Sequence, residues 1–377
     1  MEVKKTGNQT CSALKHISHY LSTIEDFRME KKCLHKLSDI LFIGLLTFLS
    51  SGEDYEDMVL FGKTHHDFLK GYLSLPNGIP SHDTFRRVFS ILDADLLRKC
   101  LKDYGKDMIG LLNEKQICLD GKKLKGVSPT SRGNSGFYIV NAWVAENRLC
   151  IGQKKVQDKS NEITAIPSLI DEIDITGAVV SIDAAGCQRE IAGQIVGKGG
   201  HYLLSLKENQ RKLYDDVVCG FKACKSESIS EEWEYDHGRF EVRKCSIISS
   251  KNALLDENQE QWRGLKTLIK VEASRSVKDK ETEEIRYYIS DEEGCSAAYY
   301  NALVRGHWGI ENHLHWHLDV TFKEDGSRAR IGNAPENLST LRKLALQILK
   351  DQNDNLSMSK RRLKAAYDIK YLENLIN

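Results

Sequence analysis

Between residues 116 and 218 the chain alternates short apolar runs with helical spacings, and this pattern limits its fold more than any other feature. Gln116-Ile-Cys-Leu-Asp120 is an apolar strand ending in an acid, followed by a turn and the basic stretch Gly121-Lys-Lys-Leu-Lys-Gly126. Phe137-Tyr-Ile-Val-Asn-Ala-Trp-Val-Ala145 and residues 149–156 read as two further strands joined by Glu146-Asn147-Arg148. Helical spacing then covers 162–173. Gly177-Ala-Val-Val-Ser-Ile-Asp183 is a second apolar strand ending in an acid. A helix over 187–197, a strand over 202–206 and a helix over 208–218 follow. Three strands joined by tight turns, then strand and helix in alternation, specify an α/β fold with a mixed sheet flanked by helices.

The residues before this region read as helical. Leu34, Leu37, Leu41, Leu45 and Phe48 recur at intervals of three and four, which marks a helix with one buried face. After Pro80, Ser81 or Asp83 can cap a second helix whose inner face is Phe85, Val88, Phe89 and Leu92. That leaves Arg86 and Arg87 outward, suited to a DNA groove or equally to solvent on a small helical bundle. Residues 225–290 are rich in Glu and Lys and carry strand-like pieces at 239–249, 265–272 and 285–290, the signature of a β-rich insertion. A helical pattern resumes at Ser296 and runs through residue 318. Residues 336–377 look helical and locally basic, with Lys360-Arg-Arg-Leu-Lys364. The expected organisation is an N-terminal helical domain (1–112) for DNA binding, a first core segment (113–224), the insertion (225–290), a core helix segment (291–335) and a basic helical tail (336–377).

Composition excludes several classes. Hydrophobic residues at 41% and charged residues at 29%, with only five prolines, describe a folded globular chain. The 54 basic residues balance 54 acidic ones, so any footprint for nucleic acid must be local. The most apolar run, residues 40–49, is far short of the roughly 20 residues that span a bilayer. Ten cysteines form no CxxC pair, as expected of reduced thiols in a cytosolic protein.

Chemistry is carried by Asp120 and Asp183 at strand ends and by Glu311 within Arg305-Gly-His-Trp-Gly-Ile-Glu-Asn-His-Leu-His-Trp-His-Leu318. Acids at strand ends project where loops open a cleft. On a helix, Glu311 shares a face with His307 and His315. Three oxygen donors suit Mg²⁺ or Mn²⁺, and two such ions about 4 Å apart serve phosphodiester displacement. Convergent carboxylates repel one another, which itself favours a bound cation. From spacing alone the pattern also fits turn acids and a surface glutamate. Trp308 and Trp316 read as core residues. His313, His315 and His317 diverge on a helix, which argues against a shared zinc site. Lys122, Lys123 and Lys125 follow the first acid and would meet phosphates at the cleft rim. His237, Arg239 and Arg243 in the insertion suit either a DNA backbone or salt bridges to Glu234 and Glu241.

Gly78-Ile-Pro-Ser-His-Asp-Thr-Phe85, Leu119-Asp-Gly-Lys122, Lys159-Ser-Asn-Glu-Ile-Thr-Ala-Ile-Pro167, Ile182-Asp-Ala-Ala-Gly-Cys-Gln188, Leu206-Lys-Glu-Asn-Gln210, His237-Gly-Arg239, His307-Trp-Gly-Ile-Glu-Asn312 and Leu314-His-Trp-His-Leu-Asp-Val-Thr-Phe-Lys-Glu-Asp325 occur in this order. In these stretches the chain resembles the H-repeat-associated, ISAs-type insertion-sequence transposases, over nearly its whole length. The resemblance implies an RNase H-like core interrupted by a β-rich insertion, with Asp120, Asp183 and Glu311 as the DDE triad and metal ligands. It implies Mg²⁺ or Mn²⁺, two ions, as cofactor. Double-stranded DNA, as element ends and target, is the implied partner, bound by a homodimer in the bacterial cytoplasm. A Tyr–Arg–Glu–Lys pattern common in the broader group is replaced here by Val304, His307 and Leu318 around Glu311, which leaves Arg305 as a substitute phosphate contact. A silent DNA-binding remnant and a general metal-dependent nuclease on the same fold remain as alternatives.

Overall fold

The computed structural model describes residues 17–112, 114–127, 137–156, 162–236, 238–254, 259–277 and 280–377. They form two compact units, one of residues up to 110 together with 331–377, the other of residues 111–330. His237 and the first part of the 159–167 motif lie outside the described residues. Among the described residues no helix is long and apolar enough to cross a membrane.

The first unit is helical. In the Leu37–Leu49 helix every residue but Ser38 is buried, where the spacing predicted a single buried face. An ILFIGLLTFL run is apolar all round, so it is stable only when covered on all sides. The cover includes the Tyr55–Thr64 helix and the Ala334–Lys350 helix. The latter is buried along most of its length and also packs on the His82–Ile91 and Ala94–Ile109 helices. Residues expected as a basic tail therefore belong to this unit's core.

Their cations are spent inside it. Arg98 pairs with Glu336 at 2.6 Å, both buried. Arg361 donates to the carbonyl of Leu349, and Arg362 donates to the carbonyls of Phe48 and Gly52 at 2.8 and 3.0 Å. Leu349 and Phe48 stand in the last turns of their helices, where carbonyls have no intrahelical partner. A guanidinium fork satisfies them and complements the negative helix end. Lys360-Arg-Arg-Leu-Lys364 is basic for a structural reason. Ser81 caps the His82–Ile91 helix by accepting from the Thr84 N–H, as expected, and Arg86 and Arg87 are exposed on it.

The second unit is built on one nine-stranded sheet in the order β3-β2-β1-β4-β5-β9-β8-β7-β6. Its strands are β1 Gln116–Leu124, β2 Phe137–Val144, β3 Leu149–Lys155, β4 Val179–Ile182, β5 His201–Leu206, β6 Ser228–Asp236, β7 Arg239–Ser249, β8 Thr267–Val277 and β9 Lys280–Ser290. β1 to β3 form an antiparallel meander, and β4 and β5 run parallel to β1. This is the RNase H-like mixed sheet that the resemblance implied. The Glu162–Glu172 helix packs over β2 and β3, and the Arg189–Gly197 helix packs against β5. The insertion is β-rich, as expected, but it forms no separate layer: β9 pairs antiparallel with β5, and β8, β7 and β6 extend the same sheet. β6 was not legible from its sequence. Its Glu231, Glu232 and Glu234 suit an edge strand, where charge discourages further pairing.

Candidate active site

Parallel pairing of β1 with β4 ends at Leu119 opposite Ile182. Asp120 and Asp183 are the next residues on neighbouring strands, so two side chains distant in sequence leave the sheet side by side. β1 does not stop at Asp120, as the sequence suggested. It continues to Leu124 because β2 goes on pairing with it, Asp120 lying opposite Asn141 and Lys122 opposite Ile139. Asp183 instead turns the chain: its Oδ1 accepts the N–H groups of Ala185 and Gly186 at 3.1 and 3.4 Å.

Glu311 arrives from a long helical segment laid across the sheet. Ser296 caps it by accepting from the Tyr299 N–H, and Ala297–His307 is regular α-helix. Beyond Trp308 the segment widens into two π-helical turns, Glu311–His315 and His317–Thr321, a local form often found at functional sites. Glycines bring it close to the sheet. A Cβ on Gly309 would lie 2.6 Å from the buried Trp143 ring, and one on Gly306 would lie 2.1 Å from the Gln116 side chain. Gln116 cannot easily yield, since its amide donates to Ser181 and to the Leu303 carbonyl, both at 2.8 Å. Trp143 is a rigid ring in a packed core. Gly309→Ala is expected to cost about 1–3 kcal/mol in urea unfolding, the usual cost of overpacking; an unchanged midpoint would show that the ring has room to move.

With the helix so placed, Asp120, Glu311 and His315 each offer a ligand atom, all within 4.8 Å of one another. His315 is buried, with Nδ1 at 3.2 Å from Glu311 Oε2 and 3.5 Å from Asp120 Oδ2. Its hydrogen bond, more than any other influence, holds the half-exposed Glu311 carboxyl below the usual range. Asp183 is not within that cluster but lines the same cavity of about 220 Å³ with Asp120 and Glu311. His307, also in its wall, sets Nδ1 at 3.0 Å from Ser181 Oγ, and burial pushes it down to about 4, so its ring is neutral. The helical spacing had placed His307, Glu311 and His315 on one face, and they do converge.

The same cavity is also lined by cationic and aromatic side chains: Lys207, Arg286, Tyr288 and Trp308. Arg286 forms a paired contact with Glu284 at 2.7 and 2.8 Å and stacks on the Trp308 ring at 4.6 Å. Trp308 and Trp316 are 46% and 51% exposed, which corrects the expectation of core residues. Neither Lys207 nor Arg286 was singled out from the sequence. Lys207 sits in the Leu206-Lys-Glu-Asn-Gln210 motif directly after β5, the strand beside β4, a signal that could have found it. Arg286 lies in a charged strand and carries no such mark.

The other expected cations stand elsewhere. Lys122 is buried, not at a rim: its Nζ meets Asp319 at 2.5 Å, Glu324 at 3.3 Å and Asp325 at 3.6 Å. On β1 it shares a face with Asp120, and that face lies under the helix carrying these acids. Burial opposes its charge, but the three carboxylates outweigh burial and hold it above its ordinary value. Lys125 is exposed and pairs with Asp325 at 2.7 Å, and Lys123 lies 5.5 Å from the Tyr138 ring centre. Arg305 is paired with Glu234 at 2.5 Å. Arg239, Arg243 and Arg275 surround the buried Glu241 at 3.6, 2.5 and 3.2 Å. In the first unit Arg86 pairs with Asp83 at 2.8 Å.

The Asp120 and Glu311 carboxylates, with the His315 imidazole between them and Asp183 on the same cavity, match the donor set of a divalent cation and leave anionic charge that a cation would balance. A family model described as "Transposase DDE domain" matches residues 86–348, and one described as "DDE_Tnp_1-associated" matches residues 18–104. "H repeat-associated putative transposase YhhI" of Escherichia coli K12 is 36% identical over 96% of this chain and 98% of its own length. "Putative transposase YncI" of Escherichia coli O157:H7 is 35% identical over 97% of this chain and 95% of its own. "Inactive transposase YbfQ" of strain K12 is 47% identical over only 20% of this chain. Sheet order, converging acids and full-length similarity agree: the chain belongs to the DDE transposase family, beside the H-repeat-associated relatives.

Proposed function

We propose that this chain cleaves DNA at the ends of an insertion sequence and joins the freed ends to target DNA, with Asp120, Asp183 and Glu311 as catalytic residues. Family membership implies DNA binding and use of a divalent metal. The observation that carries the catalytic reading is the convergence of Asp120 and Glu311 within 4.8 Å, with Asp183 on the same cavity. These carboxylates would hold Mg²⁺ or Mn²⁺, two ions in this reading. Such ions activate the attacking oxygen and stabilise the leaving one in phosphodiester displacement. Around them the chain's own groups orient the DNA. Lys207 and Arg286 line the same cavity as the acids and neutralise the phosphates that the acids would repel. The neutral His307 ring, held by Ser181, offers a hydrogen bond without adding charge. The exposed Trp308 face, backed by Arg286, is a platform for an unstacked base. Arg86, Arg87, Lys123, Lys125, Arg239 and Arg305 are assigned to backbone contacts away from the reacting phosphate; for Arg86, Lys125 and Arg305 this is at the expense of present surface ion pairs, each worth about 1 kcal/mol or less. Cleavage at two ends calls for two copies of the chain, and a DNA-bound homodimer is part of the proposal.

The test is Mg²⁺-dependent cleavage of DNA carrying the element's terminal repeats beside scrambled DNA of equal length. Cleavage confined to repeat ends, and abolished by a chelator, is expected. Equal cutting of both DNAs would favour a general nuclease, and binding without cutting would favour a silent remnant.

A further inference from the structure

We propose that His315 is a ligand, through Nδ1, of the divalent cation that Asp120 and Glu311 hold, and that the Asn141 amide selects the tautomer required. The proposal rests on the reading that these two acids bind a metal. His315 lies between the acids, buried, with Nδ1 facing both carboxylates. Its other nitrogen, Nε2, is 3.2 Å from Asn141 Nδ2. In that arrangement the amide N–H donates to Nε2, so the ring proton is on Nδ1 and points at the carboxylates.

Asn141 carries the second observation. It is fully buried, and its Oδ1 has no hydrogen-bond partner among the described residues. Amide oxygen and nitrogen are nearly isosteric, so rotating the amide by half a turn puts Oδ1 where Nδ2 now stands. Oδ1 then accepts from Nε2–H, the ring proton moves from Nδ1 to Nε2, and Nδ1 presents its lone pair between Asp120 and Glu311. An outer amide or carbonyl that fixes the proton of a ligating histidine is a recurrent arrangement at metal sites. Asn141 is itself held in place: it pairs across the sheet with Asp120 on one side and with the buried Gln153 on the other.

A nitrogen donor beside two carboxylates changes the preferred ion. Mg²⁺ favours oxygen ligands alone, whereas Mn²⁺ and later first-row ions accept imidazole. The site therefore takes Mn²⁺ in preference to Mg²⁺.

Pulsed electron paramagnetic resonance on the full chain with Mn²⁺, without DNA, tests this through ¹⁴N modulation of the metal signal. Wild type is expected to show directly bound nitrogen. His315→Gln should lose it and weaken Mn²⁺ binding by roughly tenfold or more, with a smaller effect on Mg²⁺. Asn141→Leu should weaken Mn²⁺ binding by roughly 10–100-fold, while Asn141→Asp, which can only accept from Nε2–H, should retain the modulation. Mn²⁺ whose binding requires Asp120 but shows no ¹⁴N modulation in wild type would overturn the ligand assignment, and needs no variant to fold. Mn²⁺ binding that survives Asp120→Asn unchanged would instead remove the underlying metal reading.

Discussion

Asp120→Asn, Asp183→Asn and Glu311→Gln will each reduce Mg²⁺-dependent cleavage of terminal-repeat DNA by about a thousandfold or more, while DNA affinity stays within a few-fold. Each substitution keeps the shape of the side chain and removes one negative oxygen donor. Metal assistance to phosphodiester displacement is worth several kcal/mol, and about 4 kcal/mol is a factor of a thousand in rate. Folding should survive. Asn is as good a cap as Asp, so the turn in which Asp183 accepts the Ala185 and Gly186 N–H groups is preserved. Glu311 is half exposed, and the glutamine amide can still meet both His315 and Asp120, which the carboxylate contacts. Single-turnover cleavage beside a gel-shift titration measures both quantities. A variant that cuts at close to the wild-type rate would strike that residue from the triad; Asp183 is the most exposed to this outcome, since it stands apart from the tight cluster of Asp120, Glu311 and His315.

Lys122→Met will lower stability by about 3–5 kcal/mol, because it takes from the buried Glu324 and the partly buried Asp319 the ammonium they share, while Asp325 keeps Lys125. Glu324 is almost wholly inaccessible and Asp319 and Asp325 are partly so, and one ammonium serves all three. Burial already pushes Asp319 up, and without Lys122 at least one of the acids must take a proton or open to water. For a unit of this size the loss corresponds to a fall in Tm of roughly 10 °C or more. Lys122→Met combined with Glu324→Gln should recover part of it, because the least accessible charge is then also gone. A lysine at the rim of a DNA cleft would behave differently: its loss would weaken DNA binding and reduce the salt dependence by about one charge, with little change in Tm. Unchanged melting with weakened DNA binding would restore the phosphate contact expected from the sequence.

Lys122 shows where reading residues in order reaches its limit. Gly121-Lys-Lys-Leu-Lys-Gly126 has the composition of a solvated turn. It is strand because β2 continues to pair with it, and Lys122 is buried because acids some 200 positions later descend onto the same face. The same holds for β6, whose alternating Ile229, Trp233 and Tyr235 are exposed and so give no sign of a core-facing strand, and for residues 336–377, expected as a basic tail until the partners of the 334–350 helix and of Arg361 and Arg362 were seen. Trp308 and Trp316 erred the other way. An aromatic on a helix is usually core, but here the helix lies on the sheet through glycines and Trp308 is left at the cavity mouth.

The chain's own order of residues determined the strands that carry Asp120 and Asp183, the hairpin between them, the capped helix after Pro80 and the helical spacing that aligns His307, Glu311 and His315. All of these rest on contacts within one element or one turn, where periodicity and capping operate. Tertiary structure alone decided that β1 and β4 are neighbours, that the insertion joins the same sheet, that Asn141 faces His315, and which cations are free for DNA and which are spent on buried acids and helix ends. Those outcomes depend on the energy of burying a charge beside a partner from elsewhere in the chain, and no local pattern of residues records who that partner is.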